Sequence, residues 1–233
     1  MILSDYLPTI VMIPTIGTTT KAFRLNTILV HPTYFPSIIQ MVAMVQAPHI
    51  VFEVNDNYQK QTYRNRTYIA HSNGKLLLNI PIKHRKSGYK QKTKEVIPEN
   101  SFPWRSQHWK SLQSAYRSSP YFEFYEDDLY PLFHEENNFL LELNLKTWAI
   151  VCELLGLTKE HSFTESYKLE TDILDLRNLV NAKSEDKYRL NPYTQVLQIK
   201  HGFLPNLSVL DLIFNVGPDS VQYLEQQKLE LDQ

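Results

Sequence analysis

This 233-residue chain has few cysteines, few glycines and almost no net charge. The one cysteine, Cys152, excludes an internal disulfide framework and is typical of a reducing compartment. The six glycines form neither G-x-G-x-x-G nor G-x-x-x-x-G-K-[ST], which excludes the common Gly-rich phosphate loops. A net charge of −1 argues against nucleic-acid binding through bulk charge. We therefore expect a cytoplasmic protein that does not bind nucleic acid.

A long hydrophobic run is also missing. The apolar stretch YLPTIVMIPTIG near the start is short, contains prolines and follows no Lys or Arg. It predicts neither a secretory signal nor a membrane-spanning helix. We interpret residues 1–26 as an N-terminal extension, 27–224 as a single domain and 225–233 as a C-terminal tail.

The stretch from residue 27 to residue 54 has the pattern of a βαβ unit. TILV at 27–30 and HIVFEV at 49–54 are rich in β-forming residues, whereas SIIQMVAMVQ at 37–46 has helical apolar spacing. Ser37 is positioned to cap this helix. Because the two strands of such a unit are parallel, the loop HPTYFP should open at the carboxyl edge of the sheet, where ligands usually bind.

The remaining pattern predicts one hairpin followed by helices. Asn73-Gly74 between two β-rich runs indicates a hairpin near residues 66–82. Apolar periodicity predicts helices at 104–119, 121–133 and 137–156, then a strand near 195–199 and a short helix near 207–214. The predicted fold class is α/β or α+β, with a small mixed sheet, an N-terminal βαβ-like unit and a mainly helical C-terminal half.

The basic tract from residue 57 to residue 94 contains ten Lys or Arg and no Asp or Glu. Arg64 and Arg66 are two positions apart, so on a strand they would share a face and, with Lys60, hold a phosphate or carboxylate. A solvated edge strand protected by its charges is the alternative. The end of the tract, KHRKSGYKQKTK at 83–94, is either a lid over an anionic ligand or a flexible loop.

Two histidines are candidate general bases. His31 lies in the loop HPTYFP, and His108 could face a cleft together with Lys110 or Arg117. The alternative for both is a structural histidine that bonds within the protein. The eight histidines have no metal-ligand spacing, so we expect no metal site.

A further expectation concerns Asp211, an acid within the apolar run VLDLIFN. Such an acid either faces solvent or is buried with a partner, and Arg64 or Arg66 would be a natural partner. In that case the arginines hold the fold together, and they would also pair with the acidic cluster at 123–136.

An ordered series of motifs carries a family resemblance. The series is HPTYFPSIIQM, NYQKQTYRNRTYIAHSNGKLLLNIPI, HWKSLQSAYRSSPYFEFYEDDL, LNLKTWAIVCELLG and YTQVLQIKHGFLPNLSVLDLIFNVGP. It resembles the WbqC-like protein family, in a short form associated with Bacteroidetes bacteria. The resemblance implies a link to O-antigen and polysaccharide gene clusters, and transfer of a small acyl or amino-acid group to an amino sugar. It carries over no established catalytic residue.

The chain departs from the longer family members at two places. Those members begin with Gln where this chain has His31, and they carry a glycine-containing segment where this chain has the charged ETDILDLRNLVNAKSEDKYRLN. If that segment forms part of the site, the substrate differs or the activity is lost.

We therefore expect a transferase-like enzyme of surface-polysaccharide or nucleotide-sugar metabolism. Its partner would be an anionic small molecule such as a nucleotide sugar or acyl donor, and the sequence identifies neither a cofactor nor an oligomeric state. His31 or His108 would take a proton from the acceptor. The expected binding residues are Tyr34, Tyr58, Lys60, Tyr63, Arg64, Arg66, Lys110, Arg117, Tyr193 and Gln195. The alternative is a non-catalytic binding or scaffold protein of a polysaccharide assembly system.

Overall fold

The computed structural model describes residues 10–13, 21–24, 26–83, 90–183 and 188–229. Most of the predicted N-terminal extension, the centre of the predicted lid and the end of the predicted tail lie outside these ranges. The division into one domain at 27–224 stays a prediction. Two short antiparallel strands, β1 (Ile10–Ile13) and β2 (Lys21–Arg24), pair within the N-terminal part.

The predicted βαβ unit is confirmed. Strand β3 (Thr27–Val30) leads through helix α1 (Ile38–Gln46) to strand β4 (His49–Phe52), and the two strands pair in parallel with Ile28 opposite Ile50. Residues 38–45 of α1 are all buried, since the helix is apolar on every side. Such a helix needs a layer of protein on each side.

The predicted hairpin is also confirmed, with shorter strands. Strand β5 (Arg66–His71) pairs antiparallel with β6 (Gly74–Asn79). Gly74 has a φ of 106°, a conformation that costs glycine little because it has no Cβ. The turn itself lies at residues 72–73.

Two further strands, both missed by the sequence pattern, complete the main sheet. Strand β7 (Glu160–Phe163) pairs parallel with β4, and β8 (Leu174–Asp175) pairs parallel with β3. The sheet therefore has the order β7-β4-β3-β8, with all of its strands parallel. The fold combines this parallel sheet with the antiparallel hairpin, as the mixed class predicted.

The second half is mainly helical, as expected. Trp109, Leu112 and Tyr116 lie on one buried face, and Gly156 ends the central helix with a φ of 64°. The strand predicted near 195–199 is wrong, because that segment forms a single helical turn. The helices are α2 (Trp104–Tyr116), α3 (Phe122–His134), α4 (Leu140–Leu154), α5 (Gln198–His201), α6 (Val209–Val216) and α7 (Ser220–Gln226).

Helix capping shows how distant segments position one another. Ser37 occupies the N-cap of α1, yet its side chain makes no capping bond, and Asn206 Oδ1 accepts from the Ile39 N–H at 3.0 Å instead. Ser208 caps α6 by accepting from the Leu210 N–H. The segment before α6 thus fixes the start of α1, which places the loop that precedes it.

Candidate functional site

A cleft of about 710 Å³, called the large cleft below, opens at the carboxyl edge of the parallel sheet. Its walls come from His31 after β3, from residues 56–64 after β4, and from residues 167–183 around β8. Ligands of open parallel sheets bind at this edge because the loops there lie outside the strand ends. The position predicted for HPTYFP is therefore confirmed, whereas its role stays a prediction.

A buried ion pair forms the floor of the large cleft. Arg64 Nη2 lies 2.6 Å from Asp56 Oδ2, and both residues are at least 95% buried. The same Nη2 donates to His31 Nε2 at 2.9 Å, and Nη1 donates to Thr62 Oγ1 at 3.1 Å. Arg64 Nε has no hydrogen-bond partner among the described residues. We call Arg64, Asp56 and His31 the cleft cluster.

Several neighbours hold the cleft cluster in place. Thr93 Oγ1 donates to Asp56 Oδ1 at 2.5 Å, and Asn144 Nδ2 donates to the Arg64 carbonyl oxygen at 2.8 Å. Gln40, from α1, donates to the His31 carbonyl oxygen at 2.7 Å. The cluster is thereby fixed by α1, by α4 and by the segment after the hairpin, which leaves its geometry preorganised.

The cleft cluster keeps His31 neutral. Burial, and then the charge of Arg64, hold the pKa of His31 well below its usual value, although the nearby backbone of Glu53 opposes this shift. Burial also lowers the pKa of Arg64, but Asp56 opposes it, and guanidinium stays protonated in proteins. Because Arg64 can only donate, His31 Nε2 must be the unprotonated ring nitrogen.

Arg177 anchors the opposite wall of the large cleft. Its guanidinium binds the carboxylate of Asp175 through Nε and Nη2 and lies 3.5 Å from Glu53 Oε2. This bidentate bond to Asp175 is the main reason that the pKa of Arg177 is raised. The guanidinium also lies 5.0 Å from the ring centre of Tyr167.

The large cleft carries an excess of positive charge. Its walls contain four cationic side chains and two carboxylates. Arg64 pairs with Asp56, and Arg177 pairs with Asp175 and also with Glu53, which does not line the cleft. Among the lining residues the excess of two charges is therefore that of Lys60 and Lys183. Both lysines are exposed, and no ion pair of either is found among the described residues. An anionic ligand would complement this surface.

A second, smaller cleft of about 420 Å³ lies beside the first and shares Lys60 and Gln61 with it. Arg66 lines this second cleft with Tyr58, whose pKa burial raises to about 12. Arg64 and Arg66 therefore serve different clefts, which corrects the expectation that they share one face. The physical reason is that β5 begins at Arg66, so Arg64 belongs to the preceding turn rather than to a strand.

His108 is a core residue rather than part of a cleft. Its Nδ1 lies 3.1 Å from the Tyr34 hydroxyl, and its ring contacts Trp104. Burial lowers the pKa of His108 to about 4 and raises the pKa of Tyr34. The expectation that His108 faces a cleft with Lys110 or Arg117 is corrected, since it points inward.

The other expected binding residues also lie elsewhere. Tyr63 is buried against Tyr68 and Val180. Lys110 is exposed on α2, and the exposed Arg117 lies 4.0 Å from Glu126. Neither Tyr34 nor any of these residues lines the large cleft.

Tyr193 and Gln195 belong to a second buried cluster, around Asp211. The carboxylate of Asp211 accepts hydrogen bonds from the hydroxyls of Tyr116 and Tyr193 and from Gln195 Nε2. Burial raises the pKa of Asp211, and these three bonds oppose the shift. The arginine partner expected for Asp211 is therefore wrong, because neutral donors saturate it. We call Asp211, Tyr116, Tyr193 and Gln195 the core cluster.

The residues of the large cleft that the sequence reasoning missed include Asp56, Tyr167, Arg177 and Lys183. Asp56 lies one position before the acid-free tract, and that placement was the available signal for a partner of Arg64. Arg177 and Lys183 lie in the charged segment that departs from longer family members, and Tyr167 lies three positions before it. Their relevance emerges only because β8 joins the sheet beside β3.

The described residues contain no group of three or more His, Cys, Asp or Glu that could hold a metal ion. Within the same ranges, every helix is too short or too polar to cross a membrane.

Residues 31–188 match the WbqC-like protein family, and this match covers more than half of the chain. The chain belongs to this family. This WbqC-like protein is also 26% identical to uncharacterized protein Rv1507c of Mycobacterium tuberculosis over 225 residues, 84% of this chain and 96% of the relative. No solved structure matches the chain. All three residues of the cleft cluster lie within the matched range.

Proposed function

We propose that this WbqC-like protein is a cytoplasmic transferase-like enzyme of bacterial surface-polysaccharide or nucleotide-sugar metabolism, whose large cleft binds an anionic activated donor. The observation that carries the proposal is the excess of two positive charges above the cleft cluster, at the carboxyl edge of a parallel sheet. The family resemblance supports the metabolic context, and the electrostatics support the charge of the ligand.

The two exposed lysines of the large cleft, Lys60 and Lys183, are the proposed contacts with the donor's phosphate or carboxylate groups. Lys60 and Lys183 flank the antiparallel bridge between Thr62 and Asn181, so an anion bound beside this bridge would meet two cations. Arg64 lies deeper and is already paired with Asp56, which makes it a positioning residue for His31.

His31 is the proposed base of the transfer step. Its neutral ring can accept a proton from the acceptor's amine or hydroxyl as that nitrogen or oxygen forms its bond to the transferred group. The donor's phosphate or thiolate would leave with the electrons of the broken bond. Arg64 Nη2 now occupies the lone pair of His31 Nε2, so the step requires that the acceptor displace this hydrogen bond.

A thermal-shift screen tests the binding proposal. The purified protein is heated with nucleotide sugars, coenzyme A esters, aminoacyl adenylate mimics, ATP and inorganic phosphate. Only binding to the folded state raises the melting temperature, by about 5–10 °C at 100 times the Kd for a chain of this size. We expect a shift with one class of anion that weakens at high salt.

Matched lysine variants locate the binding site. Lys60→Ala and Lys183→Ala should each reduce the shift, whereas Lys110→Ala, an exposed lysine on α2, should leave it unchanged. Since both cleft lysines are exposed, neither change should lower the stability of the free protein by more than about 0.5 kcal/mol. Equal shifts in all three variants would place the anion elsewhere.

A non-catalytic binding protein is the second candidate, and the occupied lone pair of His31 favours it. Once a ligand is known, His31→Gln separates the two candidates, because Gln keeps an acceptor for Arg64 but cannot take up a proton. An enzyme should lose turnover and keep binding. A binding protein should show no turnover in either form.

A further inference from the structure

Two large apolar side chains stand exposed on one wall of the otherwise polar large cleft. Tyr167 is 48% exposed and Leu169 is 77% exposed. Both belong to the loop that connects β7 to β8, and both line the large cleft. A ligand that covers these two side chains would remove apolar surface from water, which favours binding. We call Tyr167 and Leu169 the apolar shelf.

Arg177, which also lines the large cleft, binds the backbone of the apolar shelf. Its Nη1 donates to the carbonyl oxygen of Lys168 at 2.8 Å, and its Nη2 donates to that of Leu169 at 3.0 Å. The Arg177 side chain is only 10% exposed and is itself fixed by Asp175 and Glu53. The guanidinium also packs against the ring of Tyr167. The loop is therefore a preorganised platform, so binding a ring there costs little ordering entropy.

The large cleft thus has two chemically distinct parts. The apolar shelf offers an aromatic face and an aliphatic edge, whereas Lys60 and Lys183 offer exposed positive charge. A ligand that matches both must carry a flat ring at one end and an anionic group at the other. Inorganic phosphate fits only the charged part, and an uncharged ring fits only the shelf.

We propose that the apolar shelf binds the base of a nucleoside phosphate whose phosphates reach Lys60 and Lys183. The inference rests on the proposed function, which it deepens by naming the ligand class. The cleft volume of about 710 Å³ suits a ligand of this size. Stacking on an aromatic side chain tolerates any base, so the shelf alone does not select between ATP, nucleotide sugars and coenzyme A.

Calorimetric titration of the full chain tests the proposal with paired probes. ATP is compared with inorganic tripolyphosphate, and uridine diphosphate glucose and coenzyme A are compared with inorganic pyrophosphate. At least one nucleotide should bind roughly tenfold more tightly than its inorganic partner, because base stacking on an aromatic side chain is worth about that much. Comparing the affinities of the three nucleotides shows which of these ligand classes the cleft binds.

Variants of the apolar shelf assign the difference to its residues. Tyr167→Ala should make the nucleotide bind no more tightly than its inorganic partner, without changing the affinity for that partner. Tyr167→Phe keeps an aromatic ring and should preserve the tighter binding of the nucleotide. Tyr130→Ala is the matched control, since Tyr130 is also 48% exposed but stacks on His134 in α3. Leu169→Ala should weaken nucleotide binding by a smaller factor, with Phe124→Ala as its equally exposed control.

The outcomes separate this inference from the proposed function. If tripolyphosphate binds as tightly as ATP, and no nucleotide exceeds its inorganic partner, the shelf proposal is overturned while anion binding in the cleft stands. If nucleotides bind more tightly but Tyr167→Ala changes nothing, the base lies elsewhere and the shelf proposal is also wrong. If no probe of either kind binds, both proposals fall.

Discussion

The cleft cluster and the core cluster are both buried and polar, but they differ in completeness. In the core cluster, Asp211 Oδ1 accepts from Tyr116, and Oδ2 accepts from Tyr193 and Gln195. In the cleft cluster, Arg64 Nε has no partner among the described residues, and His31 and Asp56 line an open cleft.

The difference indicates which of the two buried clusters could act on a ligand. The core cluster ties α2, α6 and the segment before α5 together through neutral donors, so it stabilises the packing of those elements. The cleft cluster holds an unprotonated imidazole and a guanidinium next to a charged surface that a ligand can reach. Burial of an acid or base is common to both clusters, and access from the cleft distinguishes them.

The largest expected effect comes from breaking the ion pair of the cleft cluster. Arg64→Ala leaves the Asp56 carboxylate buried without its cation, which should cost about 3–5 kcal/mol of unfolding free energy. Arg66→Ala is the matched control, since Arg66 is half-buried and forms no ion pair among the described residues; it should cost less than about 1 kcal/mol. Urea unfolding of both variants measures the difference. A loss of similar size in both would contradict the structural role assigned to the Arg64–Asp56 pair.

Acid should destabilise the protein through its two buried histidines. His31 and His108 have folded pKa values below the unfolded value of about 6.5, so the unfolded state binds more protons as pH falls below 6.5. Each should lower the unfolding free energy by about 1.4 kcal/mol per pH unit in that window, which for His108 extends to about pH 4.

Variants are needed to measure the contribution of the histidines, because protonation of Asp211 changes the unfolding free energy with pH in the opposite direction. Its raised pKa makes the folded state bind more protons in a window that begins near 3.8. Urea unfolding at several pH values between 7 and 5 should therefore show a smaller slope in His31→Gln and in His108→Gln. The unchanged protein, unfolded under the same conditions, provides the reference slope. An unchanged slope in both test variants would mean that the two histidines are not buried neutral.

The smallest expected effect separates the two tyrosines of the core cluster. The Tyr116 hydroxyl donates to Asp211 and also accepts from the Ala70 N–H at 3.0 Å. The Tyr193 hydroxyl accepts from Gln195 Nε2 at 3.2 Å, but that amide nitrogen also donates to Asp211 and to the Leu204 carbonyl oxygen. Tyr116→Phe should therefore cost about 1–3 kcal/mol, and Tyr193→Phe should cost about 1 kcal/mol less than that. Thermal unfolding of the pair measures the difference. The reverse order would mean that the Ala70 bond contributes little.

Local features of the fold were predictable where the pattern was strong. The βαβ unit follows from two β-branched runs around an apolar helix, and the hairpin follows from Asn73-Gly74. Strand β7 reads EHSF and β8 has two residues, LD, so neither has an apolar period that marks a strand. Both are strands because they pair with the outer edges of β4 and β3, respectively. That pairing is not visible in the local sequence.

The site was predictable only in part, for a related reason. The acid-free tract drew attention to Lys60 and Arg64, and the loop after β3 drew attention to His31; all three residues line the large cleft, and their roles stay predictions. The same reasoning gave Arg64 the wrong partner, Asp211, because charge alone cannot tell which of several acids lies near. Asp56 was the nearer acid by sequence, and the turn that carries Arg64 brings the two together.

The sequence by itself determined the elements with strong periodicity, the carboxyl-edge position of His31 and the family to which the chain belongs. Only the tertiary structure decided which polar residues meet: that His108 faces Tyr34 in the core, that Asp211 binds two tyrosines, and that Arg177 brings Tyr167 to the cleft of Arg64. The physical reason is that periodicity is set by neighbours along the chain. Buried polar partners such as Tyr34 and His108, or Tyr116 and Asp211, lie 74 and 95 positions apart along the chain and meet only when the chain folds.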